Sequence, residues 1–225
     1  MHLNSELLFR KYLLPYFKDN LKVLEIGPSC GPSSYQSILN NIIIEWHTID
    51  FETSSFIGSS VQNLTYKLKS PYIFPIEDEL YDIVLSGQVI EHVEKPWIWL
   101  KELKRITKPG GYIITINPVS WPYHEAPVDC WRIYPSGIRA LAEETGLSVE
   151  FCVFESLEKE QILIRDPFSK FIPGQSYNYS AESKVIAFTF RWNKFIKCFP
   201  YLKKYLIMPI EVAFDCLSIL KKGEK

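Results

Sequence analysis

No two of the five cysteines (Cys30, Cys130, Cys152, Cys198, Cys216) stand in a CxxC or other metal-ligand spacing, and their number is odd. Neither a disulfide framework nor a cysteine-built metal centre is expected, and reduced thiols in a cytoplasmic setting are. Excess charge of either sign is missing too: 25 Lys and Arg against 26 Asp and Glu leave a net charge of −1. Such a chain has no electrostatic footprint for tracking a phosphate backbone, so nucleic acid is not expected as a partner. The opening stretch MHLNSELLFRKYLLPYFKDN lacks a basic region followed by an apolar core, so no signal peptide is expected. The apolar run 205–220 is short and carries Pro209, Glu211 and Asp215, which argues against a bilayer span. Internal repeats and low-complexity tracts are absent.

What remains is an ordinary globular balance over 225 residues, with 47% hydrophobic and 23% charged residues. The length fits one α/β domain with an appendage, or two small domains. Aromatics at 15% are plentiful, which favours large side chains lining a pocket or facing a membrane.

Along the chain, Leu7, Leu8, Tyr12 and Tyr16 fall at helical spacing within 5–18, predicting a lead-in helix over residues 1–20 that Pro15 kinks or ends. LKVLEIG (21–27) reads as a buried strand entering a tight turn, Ser33 to Asn40 as a helix, and IIIEWHTID (42–50) as a second strand. Residues 51–60 read as loop, YDIVLSG (81–87) as a strand, and KPWIWLKELKRIT (95–107) as an amphipathic helix stopped by Lys108-Pro109-Gly110-Gly111. A strand over 112–119, a helix over 135–146 with Ser136 as N-cap and Gly146 as C-cap, and a strand over 147–155 follow. Alternating strands and helices with Gly and Asp at strand ends predict an α/β fold: a Rossmann-like, doubly wound, mostly parallel sheet over 21–155.

Residues 156–225 form a C-terminal extension expected to be helical. VIAFTF (185–190) fits a closing strand, yet Val185, Phe188, Trp192, Phe195, Ile196 and Phe199 fit helical spacing, and both alternatives stand. Residues 191–225 carry eight Lys and Arg against three acids, a local +5 that leaves about −6 on the rest. Such a basic, aromatic segment can lie on an anionic membrane surface, or pack on the core or on a second copy in a homodimer.

Open α/β sheets bind ligands beyond the carboxyl ends of their strands. The loop there after the first strand is Glu25-Ile26-Gly27-Pro28-Ser29-Cys30-Gly31-Pro32, and Asp50 ends the next strand. A nicotinamide-type GxGxxG fails, since positions 27, 29 and 32 are Gly, Ser and Pro. Taken in order, ExGxxxG, the acid at Asp50, YDIVLSGQVIEHV and KPGGYIITINP resemble the class I S-adenosylmethionine-dependent methyltransferases. The resemblance covers roughly residues 20–155 and implies that fold and cofactor.

By position, the resemblance implies that Glu25, Gly27, Pro28, Ser29 and Gly31 wrap the methionine part and that Asp50 holds the ribose. Adenine would lie by Phe51 and Ser70-Pro71-Tyr72, and Ser86, Gly87 and Gln88 would face the sulfonium. Ser29 departs from the usual middle glycine, and no acid stands at position 70. Gln88-x-x-Glu91-His92 is similar to the acid-acid-His metal group of some quinone-biosynthesis methyltransferases, but its first position is Gln, so no metal is expected.

Methyl transfer from a sulfonium asks chiefly for collinear positioning, and a hydroxyl nucleophile benefits from a base. His92 and His124 follow strands that open on one cleft, so both are candidate catalytic residues. The Pro-bounded block 121–135 resembles a subgroup associated with surface-glycan or secondary-metabolite biosynthesis. It offers Glu125, Asp129, Trp131, Arg132 and Tyr134 for substrate binding, with an Asp129–Arg132 loop-holding ion pair as the structural alternative. The expectation is methylation of a small molecule, O-directed on a sugar, glycan or hydroxylated metabolite. N- or carboxyl-methylation, or a non-catalytic cofactor-binding or membrane-docked partner role, are the alternatives.

Overall fold

The computed structural model describes residues 3–28, 33–51, 64–121, 123–124, 128–157, 184–205 and 214–224. Its strands are β1 Lys22–Ile26, β2 Glu45–Phe51, β3 Tyr66–Leu68, β4 Tyr81–Gly87, β5 Thr107–Pro118, β6 Ser148–Glu155 and β7 Asp215–Lys221. They form one sheet in the order β3-β2-β1-β4-β5-β7-β6, parallel except for β7, which runs antiparallel to both of its neighbours.

Helices cover both faces, which is why the central strands read as near-continuous apolar runs. On one face α3 (Pro96–Ile106) brings Trp99, Leu100, Leu103 and Ile106, and α4 (Pro135–Thr145) brings Ile138 and Ala142, onto Leu24, Val84, Ile113 and Leu220. On the other, the N-terminal helix α1 (Leu3–Leu8) continues through a π-turn and a 3₁₀ turn to Tyr16. This segment packs Leu8, Phe9 and Leu13 on Val23, Ile83, Ile114 and Leu217, beside Tyr35 of α2 (Ser34–Ile38). Consecutive strand residues thus feed opposite cores, the period-two geometry of a strand buried on both sides.

Four expectations need correction. The C-terminal extension is not helical throughout: α5 (Lys184–Lys197) resolves the ambiguity at 185–190 in favour of a helix, but residues 215–221 are β7, buried between β5 and β6. Residue 155 is therefore no boundary of the sheet. The N-cap of α4 is Tyr134, with Pro135 at the first helical position and no capping side chain, so Ser136 lies inside the helix; Gly146 is the C-cap in left-handed conformation. Strand β5 begins at Thr107, directly after α3. The Pro-Gly-Gly segment sits within it, where Gly110 takes φ +73° and donates its N–H to the Lys222 carbonyl. The second strand starts at Glu45 rather than at 42.

Candidate active site

Strands β1 and β4 flank the point where the strand order reverses, so the loops leaving their carboxyl ends frame the crevice where such sheets bind ligands. Gly27 ends β1 with φ +67° and donates to the Ile49 carbonyl at 3.0 Å; a β-carbon there would stand 2.6 Å from Val89 Cγ2. Both facts demand glycine. The Ser33 hydroxyl caps α2 by accepting from the Tyr35 and Gln36 amides. Ser29 and Gly31 lie outside the described residues, while Pro28 is buried beside Gly27.

Glu25 is buried, and its Oε2 accepts the Trp46 indole N–H at 3.0 Å. Burial pushes its carboxyl from the ordinary 4.5 up to about 7, against hydrogen bonds from Ser33 and Trp46 that favour the ionised form. Between those two values the native state binds more protons than the unfolded chain, so stability falls as pH rises from about 4.5 through 7. Glu25→Gln is therefore expected to match wild type near pH 4.5 and to exceed it by on the order of 2–3 kcal/mol at pH 8 in urea unfolding of the cofactor-free protein. Parallel pH profiles for the two proteins would refute this.

Asp50 ends β2, its Oδ1 accepting the Phe51 amide at 2.7 Å beside the exposed Phe51 ring. Ser70, Pro71 and Tyr72 follow β3; the Ser70 hydroxyl accepts the Tyr72 amide, and the Tyr72 hydroxyl accepts the Lys95 amide. After β4, Ser86 is buried with no hydrogen-bond partner for its hydroxyl, and the Tyr35 ring fills the space a side chain on Gly87 would need. Gln88 holds φ +59°, and its Nε2 donates to Ser5 Oγ at 2.8 Å and Asp215 Oδ1 at 3.0 Å. Asp215, fully buried at the start of β7, also accepts from Asn4 Nδ2 at 2.9 Å and Ser5 Oγ at 3.3 Å. This network, which ties α1 to the carboxyl edge of the sheet, has no signal in the sequence: its members lie some 80 to 210 residues apart.

Burial first, and the nearby acidic groups of Glu25, Asp215 and Glu91 after it, raise the pKa of the buried Tyr35 hydroxyl. With burial raising the Glu25 and Glu91 carboxyls toward their neutral forms and Ser86 Oγ and Gln88 Oε1 lacking partners, the site suits a ligand that brings hydrogen-bond donors, as an α-ammonium group does.

Across from it lie the two histidines. His92 follows β4 in a short 3₁₀ turn, and its ring meets that of His124, beyond β5, edge to face at 4.9 Å. The Val128 carbonyl lies 2.6 Å from His92 Nδ1, which assigns the proton to Nδ1 and leaves Nε2 a lone pair. Burial, opposed by that hydrogen bond, lowers the His92 pKa. Asp129 accepts the His124 backbone amide at 2.8 Å, stands 3.5 Å from His124 Nδ1, and receives both Arg132 NH1 and NH2. Arg132 holds the Asp129 carboxyl down to about 2. Both Asp129 oxygens thus take hydrogen bonds within the loop, as the loop-holding ion pair requires. Trp131 donates its indole N–H to the Val93 carbonyl and packs edge to face on Trp97; Tyr134 is exposed against Phe154. Glu125 lies outside the described residues.

Glu91 is the residue whose weight the spacing hid. Its carbonyl accepts the Cys130 and Trp131 amides, pinning the loop, while its buried carboxylate oxygens accept no hydrogen bond and burial pushes the group up to about 8. Glu91, His92 and His124 offer ligand atoms within 4.8 Å of one another, a set that can hold a divalent cation although the sequence argued for none.

Residues 25–115 match the family described as a methyltransferase domain. An uncharacterized methyltransferase of Schizosaccharomyces pombe is 32% identical over 117 residues, 45% of this chain and 41% of that protein, so the chain spans about two fifths of its length. Among solved structures, an S-adenosylmethionine-dependent methyltransferase from Archaeoglobus fulgidus shares the fold at a TM-score of 0.56 and 20% identity, covering 97% of this chain and 93% of that one. A phosphoethanolamine N-methyltransferase from Haemonchus contortus, solved with S-adenosylmethionine, scores 0.56 at 15% identity over 98% of this chain and 52% of its own. Residues 25–115 thus carry a methyltransferase domain, set in a sheet whose strand order and glycine turn after β1 are those of the class I S-adenosylmethionine-dependent methyltransferase fold.

Proposed function

We propose that this protein moves the methyl group of S-adenosylmethionine to a hydroxyl of a small acceptor, a sugar, glycan or hydroxylated metabolite, with His124 taking the hydroxyl proton. The observation that carries this is the His124–Asp129–Arg132 arrangement facing His92. A carboxylate beside Nδ1 orients a histidine and stabilises its cation, leaving Nε2 to accept a proton, and Arg132 holds that carboxylate in place. The bound cofactor supplies an electrophilic methyl group. Everything else falls to the chain: Glu25 and Asp50 anchor the cofactor's polar groups, Gly27 and Gly87 let Val89 and the Tyr35 ring pack closely against the backbone, and Gln88 is held by Asp215 and Ser5. The edge-to-face His92 ring limits the tilt of His124.

Cofactor binding is tested apart from catalysis by isothermal titration with S-adenosylmethionine and S-adenosylhomocysteine. Asp50→Ala is expected to weaken both by roughly 1–3 kcal/mol, because a hydroxyl pair then loses its acceptor. Folded wild-type protein that binds neither compound would overturn the enzyme assignment. Turnover of amines or carboxylates, with none of hydroxyl acceptors, would move the reaction to N- or carboxyl-methylation while leaving the site intact.

A further inference from the structure

The segment from Lys184 to Tyr205 carries six Lys and Arg, no acid and seven aromatic residues, so the rest of the chain bears −7. Within α5, Phe188, Trp192 and Phe195 recur at intervals of four and three, one stripe of a helix, and they are 60%, 36% and 57% exposed. Phe188 and Trp192 stack at 6.3 Å, and Trp192 donates its indole N–H to the Tyr205 carbonyl, fixing the following 3₁₀ turn, where Tyr201 and Tyr205 are exposed as well. Ile196 is buried on one flank of the stripe; Arg191, Lys194 and Lys197 are exposed on the other flank and behind it. Single exposed apolar residues are normal, but an aromatic stripe this continuous calls for a cover.

We propose that α5 and the turn after it dock on an anionic lipid surface, with Phe188, Trp192 and Phe195 entering the headgroup boundary and the cations pairing with lipid phosphates. An acid-free run of cations beside a Phe/Trp stripe is the composition that favours an anionic bilayer interface. No described helix is long and apolar enough to cross a membrane, so the contact is peripheral. Topology adds where the contact lies. Strand β6 ends at Glu155 and β7 begins at Asp215, adjacent in register at the carboxyl edge. That edge carries the candidate active site, so α5 belongs to an excursion rooted beside it. The inference stands apart from the choice of acceptor, since its readout is lipid binding.

The experiment is co-sedimentation of the whole protein with phosphatidylcholine vesicles and with vesicles carrying about a third phosphatidylglycerol, at low and high salt. Binding is expected to be on the order of tenfold stronger to the anionic vesicles, to weaken with salt, and to fall by a similar factor in F188S/W192S/F195S and in R191E/K194E/K197E. Circular dichroism and S-adenosylmethionine titration check that the variants keep the fold and site. Equal affinity for both vesicles, no binding to either, or self-association that the aromatic variant abolishes without any lipid binding would each overturn the proposal, the last by making a second copy the cover.

Discussion

His124→Ala is expected to lower turnover by about 10²–10⁴-fold and to leave S-adenosylmethionine affinity nearly unchanged. The asymmetry follows from placement: His124 lies beyond β5 and is held by Asp129, whereas Glu25, Asp50 and Gln88, the residues proposed to hold the cofactor, sit at or just after the ends of β1, β2 and β4. Burst and steady-state rates with a hydroxyl acceptor, paired with calorimetry, separate the two effects. His92→Ala is the comparison. An equal loss there alone would transfer the proton-accepting role to His92, whose Nε2 carries the lone pair. Wild-type rates in both variants would leave positioning as the whole of catalysis. Exhaustive chelation supplies a third arm, because a rate that collapses with chelator and returns with a divalent ion would make His124 a ligand alongside Glu91 and His92.

Asp215→Ala is expected to cost about 4 kcal/mol of unfolding free energy and to raise the KM for S-adenosylmethionine. The substitution strips an acceptor from Asn4 Nδ2, Ser5 Oγ and Gln88 Nε2 at once, at a position with no exposure to solvent. It also frees Gln88, which occupies a backbone conformation that a non-glycine residue keeps only under constraint. Urea unfolding and cofactor-dependent rates measure the two effects. A loss under about 1 kcal/mol with an unchanged KM would show that α1 is held by its apolar contacts alone.

Strands β1, β4 and β5 were legible because both of their faces are buried, which compresses them into short β-branched runs ending in glycine or in the Asn-Pro pair. The same logic concealed β7. Asp215 to Lys221 lies in an apolar stretch whose period does not distinguish a buried strand from a buried helix, and only pairing with β5 and β6 decides. Strand β3 is three residues long and depends on its neighbour β2 rather than on its own composition. At the site, the order of elements placed Glu25, Gly27, Asp50 and the two histidines at the sheet's working edge. The Asp129–Arg132 pair was one of two alternatives it left open, and it did not reveal that Glu91 turns inward, because that depends on the path of the loop over 3₁₀ turn 90–92.

The position of β7 governs how this protein reaches its native state. In the sheet, β6 pairs with β7 and with no other described strand, and β5 shares its outer edge with β7 alone. Until residues 215–221 are in place, two apolar strands present open edges, the kind of surface that pairs with other chains. The same segment supplies the carboxylate that anchors α1, 211 residues away in sequence. Assembly of the cofactor crevice therefore waits on contacts between residues more than 200 positions apart, a long-range closure that slows folding.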